Sequence, residues 1–156
     1  MSISAKTRSV SAIQNGTVLD HIPAGQALTI MRLLAVVDRQ QPVTLGLNLP
    51  SQRLGLKDLV KIKNRQLSSN ELDQVSVFAP QSTVSLIQQF KVKEKKILIL
   101  PTQIKGLLLC PNTHCITHTE KVTSHFNIVS MGKRIQLTCC YCEKAFDRDS
   151  VGNRLL

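Results

Sequence analysis

The sequence predicts an α+β chain in two parts, a βαββαβ domain over residues 1–100 and a small all-β domain over 101–156. Three observations carry this. Helical and strand periodicities alternate through the first 92 residues in that order. The composition changes near 96–104, where a lysine-rich segment meets ILIL and Pro101. All five cysteines then lie beyond residue 109.

Residues 9–22 read as one or two strands interrupted at Asn15-Gly16, a turn dipeptide. Pro23 suits the first turn of a helix, where its missing N–H is not needed. Ala24, Ala27, Leu28, Met31, Leu34 and Ala35 recur at helical spacing and predict an amphipathic helix over 24–37. A turn closed by Pro42 follows. Val43, Leu45, Leu47 and Leu49 alternate with Thr44, Gly46 and Asn48, which is strand periodicity. A loop is expected over 50–56, then a strand in which Val60 and Ile62 alternate with Lys61 and Lys63. Ser68-x-x-Glu71 is a capping box and opens a short helix near 69–75. Val75, Val77 and the stretch 84–92 supply further strand signals. The order β-α-β-β-α-β is the ferredoxin-like arrangement. Beyond Pro101 the strand signals are short, at 106–109, 126–129, 135–137 and 145–146.

Hydrophobic residues make up 42% and charged residues 19%, which is the composition of a globular chain rather than a disordered one. The N-terminus has no apolar run, so no secretory signal is expected and a cytoplasmic location is. ILIL and LLLC are far too short to span a bilayer. The formal charge is +10, with 13 Lys/Arg against 6 Asp/Glu in residues 1–100 and 7 against 4 afterwards. The excess is densest at Lys57, Lys61, Lys63 and Arg65, and at Lys91, Lys93, Lys95 and Lys96. Such clusters are either solvated strand faces or a site for a polyanion. Nucleic acid is the weaker choice of polyanion, because no Trp and one Tyr leave little for base stacking. A zinc-ribbon nucleic-acid-binding protein is the alternative reading, but it calls for a basic stripe on the cysteine region, and the stronger excess is N-terminal.

Cys110 and Cys115 sit in CPNTHC, and Cys139 and Cys142 in CCYC, with 23 residues between the pairs. Two short knuckles brought together by a loop offer four thiolates to one tetrahedral zinc ion, a zinc-ribbon-like plan. In a reducing compartment clustered cysteines favour metal over disulfides. CCYC offers more than one pairing. Cys139 and Cys142 are preferred over Cys140, because a two-residue gap lets both sulfurs face one ion while adjacent side chains diverge. His114, His118 and His125 are ligands by type, but four cysteines already close the shell. A closed shell is structural and leaves no position for a hydrolytic water. No Walker A motif, Gly-x-Gly-x-x-Gly motif or nucleophile–base constellation is present, so no enzyme is expected.

GTVLDHIPA at 16–24, TLGLNLPS at 44–51, KDLVKIKN at 57–64, APQSTV at 79–84, CPNTHCITH and CCYCEKAF together make the chain resemble the regulatory chains of aspartate carbamoyltransferase over nearly its full length. The resemblance implies a non-catalytic chain of pyrimidine biosynthesis. Its N-terminal domain would bind ATP, CTP or UTP and form a homodimer, and its zinc domain would grip the catalytic chain. It matches Cys110, Cys115, Cys139 and Cys142 to the four ligands of one structural zinc. It places the effector pocket at Val10, Ala12, Ile13, Val18, Asp20, His21, Lys61, Ser85, Ile87, Phe90, Val92 and Lys95. Ser85 and Phe90 depart from the family pattern, where asparagine and tyrosine are usual. Alternation with Val60 and Ile62 alone would put Lys61 on a solvated face. CPNTHC and the CEK segment at 142–144, with Asn112 and Lys144, match the contact region for the catalytic chain. The Leu-rich 43–50 segment is expected to help pair two N-terminal domains.

Overall fold

The computed structural model describes residues 11–152. Five strands, β1 (Gly16–Pro23), β2 (Val43–Ser51), β3 (Gly55–Lys63), β4 (Thr83–Gln88) and β5 (Lys91–Ile97), form one sheet in the order β2-β3-β1-β4-β5. Every neighbouring pair is antiparallel. Helix α1 (Ala27–Leu33) crosses from β1 to β2, and α2 (Ser69–Phe78) from β3 to β4. The first four strands and two helices are therefore ferredoxin-like, and β5 is added at the edge by a hairpin. Leu19, Ile22, Val60, Ile62 and Val84 of the sheet are buried with Ala27, Ile30, Leu72, Val75 and Phe78 of the helices. The core thus lies on one face of the sheet. Among the described residues the opposite face carries no helix.

Several local expectations are corrected. Pro23 closes β1 instead of opening a helix, and α1 starts later. The buried carboxylate of Asp58 accounts for the delay: its Oδ2 accepts from the N–H of Gly25 at 2.9 Å and Ala27 at 3.2 Å, and Oδ1 from Asn48 at 3.0 Å. One side chain thereby fixes the entry to α1 and a bulge in β2 at Asn48 (φ 56°). Helix α1 ends at Leu33, and Ala35 already has φ 52°. Val75 and Val77 belong to α2, not to a strand. That helix is buried along Leu72, Gln74, Val75, Ser76, Val77 and Phe78, wider than one amphipathic stripe, which hid its period. Ser68 Oγ accepts from the Glu71 N–H as a capping box requires, but the Glu71 carboxylate turns to Arg65 at 2.9 Å instead of reaching back. The stretch 84–92 is two strands, because Gln89 and Phe90 both take positive φ and make a tight hairpin turn. The expected 50–56 loop shrinks to a hairpin tip, with Ser51 paired to Gly55.

The second sheet contains β6 (Gln103–Lys105), β7 (His125–Met131), β8 (Arg134–Cys139) and β9 (Ala145–Asp147), in that order. No strand forms at 106–109; Gly106 and Leu107 take φ 76° and 60° and turn the chain away after β6. Phe126, Leu137, Leu108 and Ile104 fill its core. The two sheets meet across α2. Gln74 Nε2 donates to the Lys105 carbonyl at 3.1 Å. The terminal helix α3 (Arg148–Gly152) returns to the same place: its Gly152 packs so closely on Phe78 that a Cβ would stand 2.8 Å from the ring. No helix among the described residues is long and apolar enough to cross a membrane.

Candidate functional site

The first constellation is made of sulfur. Cys110 follows β6 on an irregular segment, Cys115 precedes a 3-10 turn at Ile116–His118, Cys139 ends β8, and Cys142 lies in the turn to β9. Their four Sγ atoms lie within 4.8 Å of one another. Cys110 and Cys142 are 3.7 Å apart and Cys115 and Cys139 3.8 Å. Sulfurs placed about 2.3 Å from a central zinc make a tetrahedron with edges of about 3.8 Å, so the spacing fits the ion. Cys140 is exposed and outside the cluster.

Each sulfur is addressed by the backbone N–H two residues on: Cys110 by Asn112, Cys115 by Thr117, Cys139 by Tyr141, Cys142 by Lys144. Burial pushes all four thiols up and these donors pull them down. Cys115 and Cys142 end below the ordinary thiol range, Cys110 and Cys139 above it. Four sulfurs this close cannot all ionise by themselves, and a central dication is what lets them do so. The histidines are not ligands. His118 Nε2 bonds the Cys110 carbonyl oxygen at 2.7 Å, and His125 Nε2 meets Gln103 Oε1 at 3.2 Å. Asn112 was missed as a support: its side chain bonds the Cys142 sulfur, and its Oδ1 accepts from the His114 N–H at 3.1 Å.

The second constellation lies on the helix-free face of the five-stranded sheet. Strand register sets Val18 beside Lys61 on one side and Ser85 on the other, and Ser85 beside Lys95. One cross-strand row therefore reads Lys61, Val18, Ser85, Lys95. The next row carries Gly16, Ile87 and Val92. Ala12, Ile13 and Phe90 line a cavity of about 250 Å³ with Asn64 beyond the end of that row. Phe90 is 64% exposed, and its N–H donates to the Gln14 carbonyl at 2.9 Å. At the other end, β1 bulges at Asp20 and His21, where His21 takes φ 57°. Its Nδ1 meets Thr83 Oγ1 at 3.2 Å.

Lys61 corrects an expectation. It is only 9% exposed rather than solvated, and its Nζ donates to the Ser11 carbonyl at 2.7 Å. Asp20 is engaged as well, by the Lys57 ammonium at 2.8 Å and the His21 N–H at 2.6 Å. Burial pushes its carboxyl up, but these donors and their charges outweigh burial and hold it below the usual range. Burial lowers the His21 imidazole. The Asp20 charge opposes this, while the charges of Lys57, Arg53 and Lys95 add to it, and the balance lies below the ordinary range. Val10 lies outside the described residues.

A metal-ready sulfur cluster and a basic open face on these two sheets agree with the comparisons. The family model described as the allosteric domain of the aspartate carbamoyltransferase regulatory chain matches residues 8–98, and that of its metal binding domain matches 102–152. The regulatory chain of Tolumonas auensis is 48% identical over 146 residues, covering 94% of this chain and 95% of that one. That of Neisseria meningitidis is 46% identical over 143 residues, covering 92% and 94%. The regulatory chain of Aeromonas salmonicida is 43% identical over 145 residues, covering 93% and 94%. The chain belongs to the aspartate carbamoyltransferase regulatory chain family.

In this regulatory chain, Cys110, Cys115, Cys139 and Cys142 form the site of one structural zinc. Two residues near the basic end of the open face escaped the expected set. Lys57 was visible only as part of a basic cluster, and its pairing with Asp20 needs the β1 bulge that no local pattern announces. Arg53 stands at a hairpin tip with no periodicity to place it.

Proposed function

We propose that this regulatory chain is a non-catalytic allosteric subunit. It binds ATP, CTP or UTP on the open sheet face and modulates a separate catalytic chain in pyrimidine biosynthesis. The observation that carries the reading is the row Lys61–Val18–Ser85–Lys95, with His21 farther along β1 toward one end of the open face. Lys95 and His21 address the triphosphate, and Lys61 the ribose or phosphate. Ile13 and Phe90, at the far end, read the base through backbone groups. Val18, Ile87 and Val92 supply the apolar floor. Ser85 and Phe90 tune which base is preferred.

The two-part division, 1–100 and 101–156, gives each part a task. The zinc part grips the catalytic chain through the knuckle loops, with Lys144 as a polar contact and Asn112 holding the loop in shape. The effector part pairs with a second copy through the 43–50 segment, where β2 is a sheet edge and Leu47 is 45% exposed. Helix α2, packed on both, is the physical link. A nucleotide shifts the catalytic chain only by binding two quaternary states with different affinity.

A pH test follows from His21. Its free imidazole is held below the ordinary value, and a bound polyanion raises it. Nucleotide binding therefore takes up a proton. Affinity is expected to rise as pH falls from about 8 to about 6 and to level off below the free imidazole's own transition. The terminal phosphate titrates nearby, so the wild type is compared with His21→Gln by calorimetry in buffers of different ionisation enthalpy. Proton uptake should be smaller in the variant. Equal uptake in both removes His21 from the site.

A further inference from the structure

We infer that Arg53, at the tip of the β2–β3 hairpin, is a ligand for the terminal phosphate of the bound nucleoside triphosphate. The inference rests on the nucleotide reading above and extends it to a residue outside the expected set. Arg53 is exposed, and its Nη2 donates to the Gln81 carbonyl at 2.9 Å. Gln81 lies two residues before Thr83, whose hydroxyl meets His21. That bond pins the hairpin tip beside the basic end of the open face.

Beside Arg53 at the basic end of the open face, Lys57 is matched by Asp20. Among the described residues Arg53 has no carboxylate within ion-pair distance; its partner is a neutral carbonyl. Its charge nonetheless bears on His21, together with those of Lys57 and Lys95. The end of the face that receives phosphate therefore holds an unmatched guanidinium. A guanidinium is a planar fork suited to two oxygens of one phosphate, and a single bond to a carbonyl leaves most of its donors available. Being on the hairpin tip, beyond the row of Lys61 and Lys95, Arg53 is placed to reach the last phosphate rather than the first.

Calorimetry of wild type and Arg53→Gln with ATP, CTP and AMP tests this. ATP and CTP are expected to weaken about tenfold to hundredfold in the variant, with AMP unchanged. Arg53→Lys should recover part of the loss, because it restores charge without the fork. Unchanged ATP affinity in Arg53→Gln, or equal losses for ATP and AMP, overturns the assignment. If the wild type binds none of the three, the nucleotide reading fails, and this inference fails with it.

Discussion

Stripping the metal, or replacing Cys115 or Cys139 with serine, is expected to unfold the four-stranded C-terminal sheet. Cys139 ends β8 and Cys115 anchors the loop before β7, so the sulfur cluster ties the knuckle loops to the sheet. The sheet's own core is small, built mainly on Phe126, Leu137, Leu108 and Ile104. Structural zinc contributes on the order of 10–16 kcal/mol in small zinc folds at neutral pH. A whole domain is stable by only about 5–15 kcal/mol, so loss of the metal outweighs what the small core can hold. Cys140→Ser should retain zinc, since Cys140 is exposed and outside the cluster. Elemental analysis and amide exchange of each variant check both statements. Acid should act like a chelator, because protons compete with zinc for all four sulfurs. A zinc-free protein with a protected C-terminal sheet would contradict the account.

Replacing Lys95 with alanine is expected to weaken ATP and CTP alike, by about tenfold to hundredfold, since the triphosphate is common to both. Lys61→Ala should do the same or alter the response itself. Lys61 is buried and bonds the Ser11 carbonyl, so its loss also loosens the segment that leads into β1. Lys95, exposed on β5, carries no such structural role. Calorimetry with both nucleotides decides, with zinc content measured in parallel as a check on the distant sheet. Full affinity in both variants would remove these lysines from the nucleotide site.

Much of this was legible in the chain before its fold was known, and the limits have physical causes. The cysteine knuckles were readable because metal geometry constrains spacing directly. The strand at 43–49 was readable because Val43, Leu45, Leu47 and Leu49 alternate with Thr44, Gly46 and Asn48, although the strand itself is only partly buried. Helix α2 was cut short, its Val75 and Val77 read as strand, because burial around most of its circumference erases the amphipathic period. The β4–β5 break at Gln89-Phe90 lacks the Asn-Gly signal that usually marks such a turn. The site's basic end depends on bulges at His21 and Asn48, and Asp58 organises the latter from a neighbouring strand. Only pairing across strands reveals that arrangement. Likewise, no local pattern sets Lys61, Val18, Ser85 and Lys95 in one row; register does.

Nucleotide on the open face is expected to change the behaviour of a catalytic chain held by the zinc part. The most direct measurement is aspartate saturation of aspartate carbamoyltransferase catalytic chain assembled with this chain, with and without saturating ATP or CTP. The account predicts that nucleotide shifts the saturation curve, and that Lys95→Ala moves the shift to higher nucleotide concentration without altering assembly. Superimposable curves from an intact assembly with bound nucleotide would contradict it.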